Sequence, residues 1–280
     1  MTDDSINPCC EPKALPAEGP PASEGKHASV RQRQQQILAV IREVGFVSIH
    51  DLAEKFKVTP QTMRRDINAL STDGLIQRHH GGAGHSLSTE NVDYVNRKVL
   101  QLREKQRIAH VVAQHIPPRS SLFINIGTTT EEVARALMNH DRLRVITNNL
   151  NVAAILSGNE NLQIFVTGGM VRHRDCGIVG EAASDFIRQF KVDYGIIGIS
   201  GVDLDGTLLD FDYREVRTAR AIIESSRQVF LVTDHTKFGR NAMVRLGSIE
   251  EVDALFTDQT PPKPLVEVMV RSGVQFYVAE

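Results

Sequence analysis

The chain is predicted to be α/β and built in two parts: a small helical part, then a larger domain on a parallel sheet. Three observations predict this. Residues 58–70 carry an amphipathic helix pattern behind a helix-start signal. From about residue 107, continuous apolar strands alternate with helical stretches, the pattern of a parallel sheet covered on both faces. Residues 1–28, by contrast, hold five of the 11 prolines and few large apolar side chains, which predicts a disordered tail.

The helical part is read first. Residues 31–44 form a helical run with Ile37, Leu38, Val40, Ile41 and Val44 as its apolar positions, stopped by Gly45. Ser48 caps a second, short helix that buries Leu52, Ala53 and Phe56. Thr59 is the N-cap of a third helix, and Pro60 takes its first position, where a missing N–H costs nothing. Met63, Ile67 and Leu70 make its apolar face, so Gln61, Arg65 and Asn68 fall on the opposite one. Gln, Arg and Asn side chains make bidentate contacts to adenine and guanine edges. A plain surface helix can carry them too. Two helices joined by a short turn, the second offering such a face, are the helix-turn-helix arrangement. Gly74 closes the helix, residues 75–78 read as a strand, and Gly81-Gly82 as a tight turn flanked by Arg78, His79 and His80. This is the pattern of a wing, giving a winged helix-turn-helix at 29–84. The adjacent histidines suggest a metal less well, because neighbours on a strand point to opposite faces and no ligand stands at zinc spacing.

Charge agrees with this reading. Residues 31–80 carry eight Lys/Arg against five Asp/Glu, while residues 1–30 carry two against five and the whole chain is −2. Arg and Lys supply most non-specific DNA affinity. So small an excess requires two or more copies, hence a homo-oligomer, a dimer or tetramer, on paired half-sites. An RNA-binding protein is a poorer fit, since only 5% of residues are aromatic and none is Trp. No apolar run reaches the roughly 20 residues of a membrane span and no secretory leader is read, so a cytoplasmic protein with no membrane partner is expected. The cysteines, Cys9, Cys10 and Cys176, make neither a disulfide framework nor a zinc pattern.

After a linker placed at 85–106, the second domain is read over 107–280. Strands are expected at 121–126, 143–147, 162–167, 194–199, 228–233, 254–257 and 274–278. Helices are expected at 128–138, 150–156, 181–190, 213–225 and 265–272. Ligands of parallel sheets bind beyond the carboxyl ends of the strands, and unusual residues collect there. Gly127, Thr128 and Thr129 follow the first strand, and a glycine turn with hydroxyls at a helix start suits a phosphate, although a plain N-cap looks similar. Asn148 and Asn149 follow the second strand, Gly168 and Gly169 the third, and Lys237 adds charge beyond a fourth. Together they predict a small, polar, phosphorylated ligand and no cofactor or metal.

These residues carry a resemblance. VTPQTMRRDINAL at 58–70, LIQRHHGGA at 75–83, NIGTTTEEVARAL at 125–137, TNNLNVA at 147–153, GIIGISGVD at 195–203, FDYREVRTARAIIE at 211–224 and TDHTKFGRNAMV at 233–244 resemble DeoR-family transcriptional regulators. The resemblance covers residues 31 to about 278. It implies a repressor whose second domain is similar in fold to sugar-phosphate isomerases. The later segments narrow it to the glycerol-3-phosphate type, implying glycerol 3-phosphate as effector and operator DNA as partner. By the same likeness, Gly127, Thr128 and Thr129 hold the phosphate, with Asn148, Asn149, Gly168, Gly169 and Lys237 around the ligand. Gln61, Arg65 and Asn68 are assigned to bases, and Thr62, Arg64, Arg78 and His80 to phosphates or grooves. Two positions depart from the family. Asn125 stands where many members have Asp. Gly198-Ile199-Ser200-Gly201 stands for Gly-Ala-Asp-Gly, where the isomerases place a catalytic carboxylate. The alternative is an isomerase-like enzyme with an appended DNA-binding domain, using Glu215 and Asp212 as acid–base groups. Their plainer reading is helix-start charge.

Overall fold

A computed structural model describes residues 30–44, 46–72, 76–79, 82–85 and 94–280. The expected tail at 1–28, the helix stops at Gly45 and Gly74, the turn residue Gly81 and the linker stretch 86–90 lie outside the described residues.

The N-terminal elements run α1 (Val30–Val44), β1 (Phe46–Ser48), α2 (Ile49–Lys55), α3 (Pro60–Thr72), β2 (Ile76–His79) and β3 (Gly82–His85). Both expected caps are present. The Ser48 hydroxyl accepts the Asp51 N–H at 3.0 Å, and the Thr59 hydroxyl accepts the Thr62 N–H at 3.2 Å. Strand β1 was not anticipated. It is three residues long and lies antiparallel to β3, whose other edge holds β2. So short a run shows no alternation in the sequence. Ile37, Ile41, Leu52, Met63 and Ile67 are fully buried where the three helices meet this sheet. Asp66 is also buried, and Arg33 Nε on α1 donates to it at 2.6 Å. This ion pair pins the inner side of α3 to α1 and so fixes which way its outer side faces.

The C-terminal elements are α4 (Tyr94–Val99), α5 (Leu102–Gln114), β4 (Ser121–Ile124), α6 (Thr128–Ala136), β5 (Arg144–Thr147), α7 (Leu150–Leu156), β6 (Gln163–Val166), β7 (Met170–Val171), β8 (Ile178–Val179), α8 (Glu181–Arg188), β9 (Val192–Gly198), β10 (Gly201–Val202), β11 (Thr207–Asp210), α9 (Tyr213–Glu224), β12 (Ser226–Val232), β13 (Val244–Ser248), β14 (Ala254–Thr257), α10 (Lys263–Ser272) and β15 (Gln275–Val278). Seven strands form one parallel sheet in the order β15-β14-β12-β9-β4-β5-β6. Successive strand residues point to opposite faces, and the two cores divide accordingly. Leu122, Ile124, Val145, Ile196, Phe230 and Phe256 pack with α5, α6 and α7. Phe123, Ile146, Ile197, Leu231 and Leu255 pack with α8, α9 and α10. The β7–β8 hairpin and a second, antiparallel sheet of β10, β11 and β13 were not foreseen.

From β4 the chain winds outward through β5 to β6, then returns to β9 beside β4 and winds the other way. The strand order therefore reverses between β4 and β9, where such sheets open a crevice at their carboxyl edge. Asn125 bridges that point, its Oδ1 accepting the Gly198 N–H at 2.9 Å while its own N–H donates to Ile196 O at 3.1 Å. An Asn125→Ala substitution leaves the Gly198 N–H without its acceptor and should cost about 1–3 kcal/mol in urea unfolding. Asn125→Asp keeps the acceptor and should stay near the parent stability only at low pH, where its carboxyl is protonated and no charge is buried.

Candidate functional site

On α3, Gln61, Arg64, Arg65 and Asn68 are all exposed. Thr62 is half-buried, with its hydroxyl 2.9 Å from that of Thr59. Arg78 lies in β2 opposite Ala83. The Arg78 side chain and all of His80 fall outside the described residues. The outer face of α3 thus offers two guanidiniums and two amides, while Met63, Ile67 and Leu70 face the core.

The second site is built at the carboxyl edge of the sheet. Helix α6 starts at Thr128 behind Gly127, which has no side chain with which to cap the first turn. A Cβ at Gly127 would stand 3.1 Å from Thr130 Oγ1, a tight contact from which the threonine would have to give way slightly. Thr130 turns inward, donating to Asn125 O and Gly127 O at 2.8 Å each. Among the described residues the Thr128 and Thr129 hydroxyls have no partner, and the start of a helix leaves its first-turn N–H groups without intrahelical acceptors. Asn148 donates from Nδ2 to Ile178 O at 3.0 Å, while its buried Oδ1 has no partner among the described residues. Asn149 is fully buried; its Oδ1 accepts the Asn151 N–H and its Nδ2 donates to Glu131, which commits it to capping α7. Gly168 borders open space, and Gly169 packs where a Cβ would meet Ile178 at 3.0 Å.

Lys237 follows β12 in a short 3-10 turn, His235–Lys237. Desolvation and the nearby Arg240, Lys105 and Arg97 hold its ammonium well below the ordinary lysine range, against the pull of Asp234. Burial and Arg97 likewise bring Arg240 down to about 10, against the opposing pull of Asp234 and Asp210. Lys105 is buried and lowered, chiefly by desolvation. Its ammonium donates to Arg97 O and Leu100 O, closing the end of α4. Arg240 Nη1 donates to Ser200 O at 3.2 Å, and its guanidinium lies over the Phe211 ring. Gly201 permits that approach, since a Cβ there would stand 2.2 Å from Arg240 O. Arg97, Lys105 and Arg240 were missed in the sequence. Arg97 and Lys105 stand apart from every quoted motif, Arg240 lies inside the 233–244 segment without being singled out, and only the fold gathers them around Lys237.

A carboxylate group borders these cations. Arg172 donates to Asp175, Asp212 and Glu215 at 2.7–2.8 Å, which binds the β7–β8 loop to the start of α9. Asp212 caps α9 through Arg214 N. Ser200 donates to buried Asp210, whose carboxyl is pushed up by burial. Burial and the Asp210 charge push Glu215 up to about 7, against Arg172. Among the described residues no group of His, Cys, Asp or Glu is placed to hold a metal ion, and no helix is long and apolar enough to cross a membrane.

Two family models match the chain: the DeoR-like helix-turn-helix domain over residues 33–89 and the DeoR C-terminal sensor domain over residues 100–259. The chain belongs to the DeoR family. It is thus a DNA-binding transcriptional regulator with a sensor domain, and α/β in fold as expected. It is 54% identical over 244 residues to the glycerol-3-phosphate regulon repressor of Escherichia coli, a match covering 87% of this chain and 97% of that one. It is 52% identical to the repressor of the same name from Haemophilus influenzae, over 82% of this chain and 89% of that one. It is 42% identical to the HTH-type transcriptional repressor CsqR of E. coli, over 89% and 95%. Among solved structures it is similar to a ribose 5-phosphate isomerase from Methanocaldococcus jannaschii, at 12% identity and TM-score 0.38, over 49% of this chain and 55% of that one.

Glu215 makes the site pH-sensitive. A carboxyl raised in the fold from its ordinary 4.5 to about 7 favours folding while protonated, so its contribution is full below about 4.5 and lost as pH rises through about 7. Stability should therefore fall across that window relative to Glu215→Gln, as read by urea unfolding at each pH. Parallel profiles would contradict the shift.

Proposed function

We propose that the chain is a cytoplasmic repressor of glycerol and glycerol 3-phosphate metabolism genes. In this reading a homo-oligomer, dimer or tetramer, holds operator DNA through paired winged helices and is released when glycerol 3-phosphate binds the sensor domain. One observation carries it: the glycine-capped start of α6 and the cations Lys237, Arg240, Arg97 and Lys105 converge on one edge of a parallel sheet. That surface suits a phosphate monoester, with N–H groups and hydroxyls on one side and ammonium or guanidinium groups on the other. Gly127, Thr128 and Thr129 take the phosphate oxygens, and Lys237 and Arg240 neutralise its charge. Gly168 and the free carbonyl of the Asn148 amide border the polyol. Asn149 and Gly169 hold the surrounding loops. Two relatives named for the glycerol-3-phosphate regulon support the choice of effector.

On α3, Gln61, Arg65 and Asn68 read bases, while Thr62, Arg64, Arg78 and His80 meet the backbone. Release follows by linkage: the effector binds the DNA-incompetent arrangement more tightly, and DNA weakens effector binding by the same factor. The Glu215 carboxyl, near neutral pKa beside Asp210, favours a second reading as a sugar-phosphate isomerase. Isomerisation of any of several aldose and ketose phosphates by the purified chain would displace the sensor reading.

Fluorescence anisotropy on a duplex selected by the full chain from a random pool tests the proposal. Glycerol 3-phosphate should release the duplex, and glycerol should not. Release by neither, or by both alike, would contradict it. Arg65→Ala should weaken binding to that duplex by about 1–3 kcal/mol and leave binding to random DNA nearly intact. Equal losses on both would move Arg65 to the phosphate backbone.

A further inference from the structure

Helix α4 stands between the winged helix and the sensor sheet in sequence, yet its side chains reach into the sensor. The Tyr94 hydroxyl donates to the Glu131 carboxylate, 2.9 Å from both oxygens, and Glu131 belongs to the first turn of α6. Asn151 Nδ2 donates to both Tyr94 and Glu131, at 2.9 and 3.1 Å. One turn after Tyr94 stands Arg97. Its Nε is buried and has no hydrogen-bond partner among the described residues. Its Nη2 comes no nearer than 3.8 Å to Asp175, beyond hydrogen-bond distance. Its guanidinium lies 5.9 Å from the centre of the Tyr94 ring. A buried guanidinium donor without an acceptor is unfavourable, and a phosphate supplies acceptors in the geometry that an arginine fork fits.

We infer that Arg97 is an effector-binding residue, donating to the anionic group of a phosphate monoester and so fastening α4 to the sensor sheet. The inference rests on the proposed sensor reading and adds how the signal leaves the site. The Arg97 charge lowers both Lys237 and Arg240, which places the three side chains around one region. Tyr94 ties α4 to α6, and Lys105 ties the α4 carbonyls to α5. An anion held by α6 and Arg97 together therefore draws α4 against α6. The chain leading to the DNA-binding domain begins at that helix.

Hydrogen exchange on the full-length protein, with and without saturating glycerol 3-phosphate, tests this. Binding should slow exchange at both 94–99 and the start of α6. Arg97→Ala should weaken calorimetric affinity roughly tenfold or more and abolish the slowing at 94–99 while keeping it at α6. Arg97→Lys, which keeps the charge but not the fork, should lie between and guards against a misfolded alanine variant. Wild-type binding that slows α6 but not 94–99 would overturn the inference, as would undiminished affinity in Arg97→Ala. If the wild type binds neither glycerol 3-phosphate nor inorganic phosphate, the sensor reading itself fails, before any variant is made.

Discussion

Positive charge withdrawn from water is costly unless negative charge or dipoles meet it, and the sensor domain is organised around that constraint. Lys105, Lys237, Arg240 and Arg97 come from three separate stretches of chain and converge at the carboxyl edge of the parallel sheet. Asp234 balances part of this charge and stays ionised for it: burial opposes its ionisation, while Lys237 and Lys105 hold it below the usual range. The geometry that permits convergence is the reversal of strand order between β4 and β9, bridged by the Asn125–Gly198 hydrogen bond. Gly201 lets the Arg240 loop close over it.

The N-terminal domain solves a separate problem with separate means. Its core shares no residue with the two cores of the sheet. The Arg33–Asp66 pair, with Asp66 buried, fixes the roll of α3, so the amides and guanidiniums of its outer face are presented together. Two independently packed units can exchange free energy only through what joins them. Tyr94, Arg97 and Lys105 give the joining segment a place in the sensor's polar network, and linkage needs no more than such a shared element.

Much of this could be read from the sequence, for identifiable reasons. The parallel strands are runs such as Ser121–Ile124 and Ala254–Thr257, apolar on both faces, and they stand out against amphipathic neighbours. Ser48, Thr59 and Pro60 announce their helices because capping is local chemistry. What escaped is non-local. Strands β1, β10 and β11 are two to four residues long and take their partners from afar. Nothing next to Asp66 in the sequence signals its burial, which Arg33, on another helix, compensates. The polar edge was seen through Gly127, Asn148 and Lys237, which follow strand ends. Arg97 and Lys105 follow no strand end, Arg240 lies three residues beyond Lys237 in the same loop, and their grouping exists only once the fold brings them together. Ser200 itself carries no carboxylate, yet one stands beside it: Asp210, in β11, accepts from its hydroxyl.

In the proposed sensor these cations and the α6 start enclose a phosphate dianion. Phosphorus NMR of bound glycerol 3-phosphate against pH measures this directly. A phosphate monoester free in water takes up its second proton near pH ~6. Enclosed by ammonium and guanidinium groups it should stay dianionic well below that, with its resonance unchanged as the free ester titrates. A bound ester that titrates at the same pH as the free one would contradict the account.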